Sequence, residues 1–195
     1  MHLLDIAENG VTAGASAIEI SVEEDLPNDR LKIVVEDNGK GMDEQLLARI
    51  VDPFVTSRTT RKVGLGIPLL KAAAEACQGH LLITSKPGQG TRLEVEFQRS
   101  HIDRMPLGDL AGTWLILIVG FPKVHWLFHY RAKTLVNQAA VQFTFDDETI
   151  KQELEEVPIT EPSILTFIRE LLQEGVRGVQ QALTQSQVNP LILSN

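Results

Sequence analysis

Apolar residues recur along this chain at two spacings, and the change from one to the other marks the elements. Over residues 2–13, Leu3, Leu4, Ile6, Ala7 and Val11 follow a helical period, and Gly14 in Ala13-Gly14-Ala15 ends the helix. From Ala17 to Glu23 the pattern becomes strict alternation, the mark of a half-buried strand. Pro27-Asn28-Asp29 turns the chain, and alternation returns over Leu31–Glu36, running into Asp37-Asn38-Gly39. Asp43 is placed to cap a short helix with Leu46, Leu47, Ile50 and Val51 on its apolar face. Residues 53–62 read as a loop. Gly64–Gln78 predicts a second long helix, with Pro68 in its first turn and Gly79 at its end. Leu81–Ser85 and Leu93–Phe97 read as a hairpin across residues 86–90. The order α–β–β–α–α–β–β predicts an α+β fold, a mixed sheet with helices on one face.

Periodicity lapses over residues 99–112, which hold Pro106 and two glycines. This predicts a first domain at 1–100, a linker at 101–112 and a smaller α/β module at 113–195. In that module Thr113–Val119 and Val124–Arg131 read as a hairpin across Gly120-Phe121-Pro122, and Ala140–Phe145 as another strand. Asp146 can cap a helix through Leu154. Pro162–Leu183 reads as a longer helix whose apolar residues suit a core or a dimer surface. His125 and His129 are four apart on a predicted strand, ~13 Å at ~3.3 Å per residue, too far to chelate one ion together. The alternating Trp126, Phe128 and Tyr130 read as core.

Charge narrows the function. The net charge is −8, and it is shared evenly: 15 acidic against 11 basic residues in 1–100, and 11 against 7 in 101–195. No broad basic face is implied, which disfavours nucleic-acid binding. The dense basic run is Arg58-Thr59-Thr60-Arg61-Lys62. A single cysteine, Cys77, excludes an internal disulfide and a cysteine metal cluster, and its apolar helix suits a core thiol. The most apolar stretch, Trp114–Phe121, is too short to span a bilayer, and the first residues show no basic leader pattern. The expected location is the cytoplasm, with no membrane partner.

Four short motifs carry the chemistry: Asp5-Ile-Ala-Glu-Asn9, Asp37-Asn-Gly39-Lys-Gly41, Gly64-Leu-Gly66 and Gly88-Gln-Gly90-Thr91. Residues four apart on a helix share a face, so Asp5 and Asn9 point the same way from an otherwise apolar helix. One reading is two exposed polar residues. The other is that the Asn9 oxygen holds Mg²⁺ while Asp5 orients or deprotonates an attacking group. Magnesium prefers few protein oxygens together with phosphates and waters. Asp37 ends a strand, where its carboxylate can accept a hydrogen bond from an exocyclic amine such as adenine carries. Gly39 and Gly41 let the backbone approach a flat base. A simple hairpin turn also fits Asp37-Asn38-Gly39, but the strand pattern does not resume after Met42. Gly64 and Gly66 precede a helix, whose free N–H groups and positive end suit phosphates. They are not a dinucleotide fingerprint, because the third glycine is absent and no strand directly precedes them. Arg58, Arg61 and Lys62 lie beside this glycine motif, where they either face an anion or simply belong to a solvated loop.

Together, in this order, the motifs over residues 1–100 resemble the Bergerat-fold ATPases, the superfamily of gyrases, heat-shock chaperones, histidine kinases and mismatch-repair proteins. The resemblance implies a Bergerat-type two-layer α/β sandwich, ATP and Mg²⁺. It implies that Asp52-Pro-Phe54-Val-Thr56-Ser57 is the family's phenylalanine box, with Phe54 packing the base of a lid and Thr56 or Ser57 reaching a phosphate. It implies that Thr91 supports the adenine through water. The stretch Asp5–Ser16 looks most like mismatch-repair ATPases, where the first position is commonly glutamate. His101-Ile-Asp-Arg104-Met-Pro106 superficially resembles the phosphoacceptor motif of histidine kinases, but its acidic residue is displaced, and Pro106 and Gly108 oppose a long helix.

The expected function is a Mg²⁺-dependent ATP-binding protein. It is either a slow ATPase or protein kinase of this class without its own phosphoacceptor hairpin, or a non-catalytic switch in which ATP orders the lid and alters a protein interaction. A degenerate domain that no longer binds nucleotide is the bland alternative. An unidentified protein partner and a possible homodimer complete the expectation.

Overall fold

A computed structural model describes residues 3–51, 66–134, 140–155 and 157–188. In chain order the elements are α1 (Leu3–Thr12), β1 (Ala17–Asp25), β2 (Arg30–Asp37), α2 (Glu44–Val51), α3 (Gly66–Ala76), β3 (His80–Lys86) and β4 (Gly90–Gln98). They continue with α4 (Leu110–Gly120), β5 (His125–Lys133), β6 (Ala140–Asp146), α5 (Asp147–Leu154) and α6 (Pro162–Val188). The six strands form one sheet in the order β3-β4-β2-β1-β5-β6. All neighbours are antiparallel except β1 and β5, which run parallel with Ala17 beside His125 and Asp25 beside Lys133.

Alternation decides which face is covered. Ile18, Ile20 and Val22 on β1, Leu31, Ile33 and Val35 on β2, and Leu93, Val95 and Phe97 on β4 all point to one side and are buried. Leu3, Ile6 and Ala7 of α1, Leu70 and Ala74 of α3, and Trp114, Leu117 and Ile118 of α4 pack into the same core. The opposite face carries ion pairs such as Lys32–Glu94 at 2.7 Å and Arg92–Glu36 at 2.8 Å. The result is the expected α+β sandwich of two layers with a mixed sheet.

The sheet crosses the expected boundary. Residues 101–109 form no regular element, so His101-Ile-Asp-Arg104-Met-Pro106 is not helical, and the Arg104 guanidinium donates to the Arg99 carbonyl at 2.6 Å. Beyond them β5 joins the edge of β1, and Trp126, Phe128 and Tyr130 are fully buried in the one core, as their alternation predicts. Trp114 meets Phe128 with ring centroids 4.6 Å apart.

One element differs in kind. Thr113–Val119, read as a strand, lies in helix α4, so there is no hairpin across Gly120-Phe121-Pro122. A short run of β-branched and aromatic residues does not distinguish a strand from a buried helix. The cap decides it: Asp109 Oδ1 accepts the Gly112 N–H at 2.8 Å, satisfying a free donor of the first turn. The long final helix extends to Val188, past the predicted Leu183. Among the described residues no helix is long and apolar enough to cross a membrane.

Candidate functional site

At the C-terminal end of β2 a cavity of about 230 Å³ opens between α1, α2 and the sheet. Its walls are mostly apolar, with Ile6, Val35, Met42, Ile50, Ile67, Ile83 and Leu93 among them; its polar lining includes Asn9, Asp37 and Thr91. Such a cavity suits a flat, largely apolar ligand oriented by a few polar atoms.

Asp37 reaches this cavity because β2 ends on the residue that pairs with Thr91 of β4 and Ile18 of β1. It can pack against α1 because position 10 is glycine: a Cβ there would lie 3.0 Å from Asp37 Cβ and 3.0 Å from Ile18 Cδ1. Asp37 Oδ1 accepts the Gly39 N–H at 2.8 Å. Burial pushes its carboxyl above the usual aspartate range. The backbone N–H groups of Gly39 and Thr91 oppose this, and the nearby charge of Glu36 adds to it.

The two glycine loops interlock. Gly41 has φ +63°, and a Cβ there would fall 1.9 Å from the Lys86 carbonyl oxygen. Gly90 has φ +88°, and its Cβ would fall 1.9 Å from the Asp37 carbonyl oxygen. Glycine is required at both positions by conformation and by space. The Gly88 N–H donates to the Lys40 carbonyl at 2.7 Å, and the Met42 N–H donates to Ser85 Oγ at 2.8 Å. Asn38 faces away and ties the loop to the α1–β1 connection, its Oδ1 accepting from the N–H groups of Ser16 and Ala17 at 2.9 and 3.0 Å.

Asn9 and Asp5 lie on one side of α1, as their spacing requires, and both are exposed. Asn9 lines the cavity, whereas Asp5 stands one turn away against the start of α3. A Cβ on Gly66 would be 3.7 Å from Asp5 Cβ and 3.9 Å from its Oδ2. Thus Asn9, Asp37, Gly41 and Thr91 line the cavity, Gly39 adjoins it through its bond to Asp37, and Gly66 and Asp5 meet at its border. Phe54, Thr56, Ser57, Arg58, Arg61, Lys62 and Gly64 lie outside the described residues.

Sequence reasoning passed over Gly10, Asn38 and Ser85. Gly10 carried a signal, since a glycine inside a helix costs about 1 kcal/mol relative to alanine and points to a close approach. Ser85 carried none, because its partners come from another strand and another loop.

Two polar clusters lie elsewhere. Buried Glu24 accepts from Tyr130 O–H and Arg99 Nε, each at 2.6 Å, and burial with the Glu24 charge raises the Tyr130 phenol far above its ordinary range. His125, Asp146 and Asp147 bring ligand-type atoms within 4.8 Å of one another. They are engaged internally: His125 Nε2 meets Asp146 Oδ1 at 2.9 Å, Asp147 Oδ1 accepts the Trp126 N–H at 2.9 Å, and Asp147 Oδ2 faces Lys151 Nζ at 2.8 Å. His129 instead meets Thr144 Oγ1 at 3.0 Å, so the two histidines of β5 serve different partners.

Residues 2–101 match the family model described as histidine kinase-, DNA gyrase B- and HSP90-like ATPase. The chain is 42% identical over 89 residues to the sensor protein kinase FleS of Pseudomonas aeruginosa, covering 46% of this chain and 22% of that protein. It is 32% identical over 120 residues to the non-motile and phage-resistance protein of Caulobacter vibrioides, covering 57% of this chain and 14% of that one. The crystal structure of full-length ShkA in complex with AMPPNP aligns at 26% identity and a TM-score of 0.41, over 49% of this chain and 20% of that one. The chain therefore spans under a quarter of the length of these relatives. With its motif loops interlocked beside one cavity and residues 2–101 matched by the family model, the chain belongs to the histidine kinase-, DNA gyrase B- and HSP90-like ATPases.

Proposed function

We propose that this chain binds ATP with Mg²⁺ and serves phosphoryl transfer to a protein, as a kinase module of the histidine-kinase type. The observation that carries the reading is the Asp37–Thr91 pair on adjacent strands at an apolar cavity of about 230 Å³. A carboxylate there accepts from an adenine amine, and the apolar walls take the ring faces. The kinship with sensor kinases supports transfer to a protein over use as a chaperone or topoisomerase.

In-line phosphoryl transfer depends on positioning and charge neutralisation. Asn9 offers one exposed side-chain oxygen at the cavity wall, which suits a cation that takes its other ligands from phosphates and water. When bound, Mg²⁺ supplies charge neutralisation at the phosphates. Asp5 is on the same helix face, where its carboxylate would orient or take a proton from the attacking group. Arg58, Arg61, Lys62, Thr56 and Ser57, together with the N–H groups after Gly64 and Gly66, are the proposed phosphate contacts.

Calorimetric titration with a non-hydrolysable ATP analogue, with and without Mg²⁺, tests the reading. Asn9→Ala should abolish the Mg²⁺-dependent part of the affinity. Asp5→Asn should keep binding and lower turnover about 10²–10⁴-fold, the usual worth of a general base. An Asp5→Asn protein with parental turnover would remove Asp5 from the chemistry. Nucleotide binding with no turnover, even with candidate protein substrates, would favour the ATP-dependent switch.

A further inference from the structure

Ser85, Thr91 and Asp37 stand in one cross-strand row, on β3, β4 and β2. Ser85 Oγ accepts the Met42 N–H at 2.8 Å, donates to the Gly90 carbonyl oxygen at 2.8 Å and stands 3.0 Å from Thr91 Oγ1. A serine hydroxyl has one proton, and a carbonyl oxygen can only accept. The contact with Gly90 therefore uses the Ser85 proton. The contact between the two hydroxyls must then use the proton of Thr91. With that proton held away, Thr91 meets the cavity with lone pairs alone, as the ionised Asp37 carboxylate does.

We propose that Ser85 sets the hydrogen-bonding polarity of the cavity: by holding the Thr91 hydroxyl proton it makes Thr91 an acceptor beside Asp37, so the site takes a 6-amino purine and rejects a 6-oxo purine. The inference rests on the ATP reading above and adds the residue that sets its base selectivity. Ser85 does not line the cavity and acts through Thr91, so it is a positioning residue. At the 6-position two acceptors suit an exocyclic amine, which donates, and oppose a 6-oxo oxygen, which only accepts.

The test compares ATP with inosine triphosphate, which differs at the 6-position and its neighbouring ring nitrogen. Affinities for both are measured by calorimetry for the parent, Ser85→Ala, Ser85→Thr, Thr91→Val and the Ser85→Ala/Thr91→Val double variant. Ser85→Ala releases the Thr91 proton, which can then donate to the 6-oxo group. The preference for ATP over inosine triphosphate should fall about tenfold, the worth of one hydrogen bond of ~1.4 kcal/mol. Ser85→Thr keeps the hydroxyl and should restore the preference. The double variant should lack the gain for inosine triphosphate, because no hydroxyl remains to turn.

Equal proportional loss of both affinities in Ser85→Ala would mean that Ser85 only braces the loop, and would overturn the proposal. A parent that binds neither nucleotide would overturn the ATP reading and this inference with it. Where Ser85→Ala does not fold, Ser85→Cys keeps the shape and weakens the donor. A reduced preference in that variant supports the proposal, and an unchanged preference with weaker binding of both overturns it.

Discussion

Replacing Asp37 with asparagine should move stability and affinity in opposite directions. The Asp37 carboxylate is partly buried, and burial dominates its environment, outweighing the N–H groups of Gly39 and Thr91. Asparagine removes that charge while its oxygen can still accept the Gly39 N–H, now 2.8 Å from Oδ1. The nucleotide-free protein should therefore be as stable as the parent or slightly more so. The bound state loses more. With the amide oxygen committed to Gly39, the amide nitrogen faces the cavity, and two donors confront each other where the adenine amine sits. A hydrogen bond to a charged group is worth about 1.5–3 kcal/mol, so ATP affinity should fall by roughly ten- to a hundredfold. Discrimination against GTP should narrow, because an amide N–H can meet a 6-oxo group. Thermal unfolding of the apo protein and calorimetry with ATP and GTP analogues measure the two effects. Equal ATP affinity in variant and parent would refute the role of Asp37. A large loss of apo stability would refute the claim that burial of its charge opposes the fold.

The raised Asp37 carboxyl also sets a pH dependence. The apo fold holds the proton between the ordinary aspartate value of 3.8 and the higher folded value, so this group's stabilising contribution is complete below 3.8 and is lost as pH rises through the folded value. Base binding needs the ionised form, so adenosine affinity should fall as pH drops through the folded value. Adenosine keeps phosphate titration out of the measurement, and a flat profile down to 3.8 would contradict the burial of Asp37. Tyr130→Phe should cost about 1–3 kcal/mol in denaturant unfolding, because buried Glu24 loses its 2.6 Å donor and keeps Arg99 alone. A loss within error would mean the Glu24–Arg99 pair suffices. Amide exchange across residues 55–63 should slow in the order apo, ADP, ATP analogue if Arg58, Arg61 or Lys62 captures the γ-phosphate. Identical exchange in the three states would remove the lid from both the kinase and the switch readings.

The two glycine loops were legible in sequence because their backbone demands a residue type that nothing else replaces. Gly41 and Gly90 could be found because each has positive φ and a neighbouring carbonyl where a Cβ would go. Strands β1 and β2 were legible because one face is buried and alternation writes that fact into the chain. Helix α4 was misread because its Thr-Trp-Leu-Ile-Leu-Ile-Val run contains no period, while Asp109, the residue that starts it, was read as linker. Asn38 read as a turn residue, although its side chain holds Ser16 and Ala17, 22 and 21 positions earlier. Ser85 and the place of β5 depend on register between distant segments, which local pattern does not record.

The parallel pairing of β1 with β5 has a consequence for how the molecule can be divided. The family model matches residues 2–101, yet β1 lies inside the sheet only because residues 125–133 cover its outer edge. A fragment ending near residue 101 would leave the nine-residue strand Ala17–Asp25 with one free edge, the N–H and C=O groups that face β5 unpaired beside Ile18, Ile20 and Val22. A long free edge with apolar side chains is a template for other chains. It would also strand Glu24 without its Tyr130 donor. The segment matched by the family model is thus smaller than the sheet it belongs to, and β5 covers an edge of β1 that the matched segment alone would leave open to pairing.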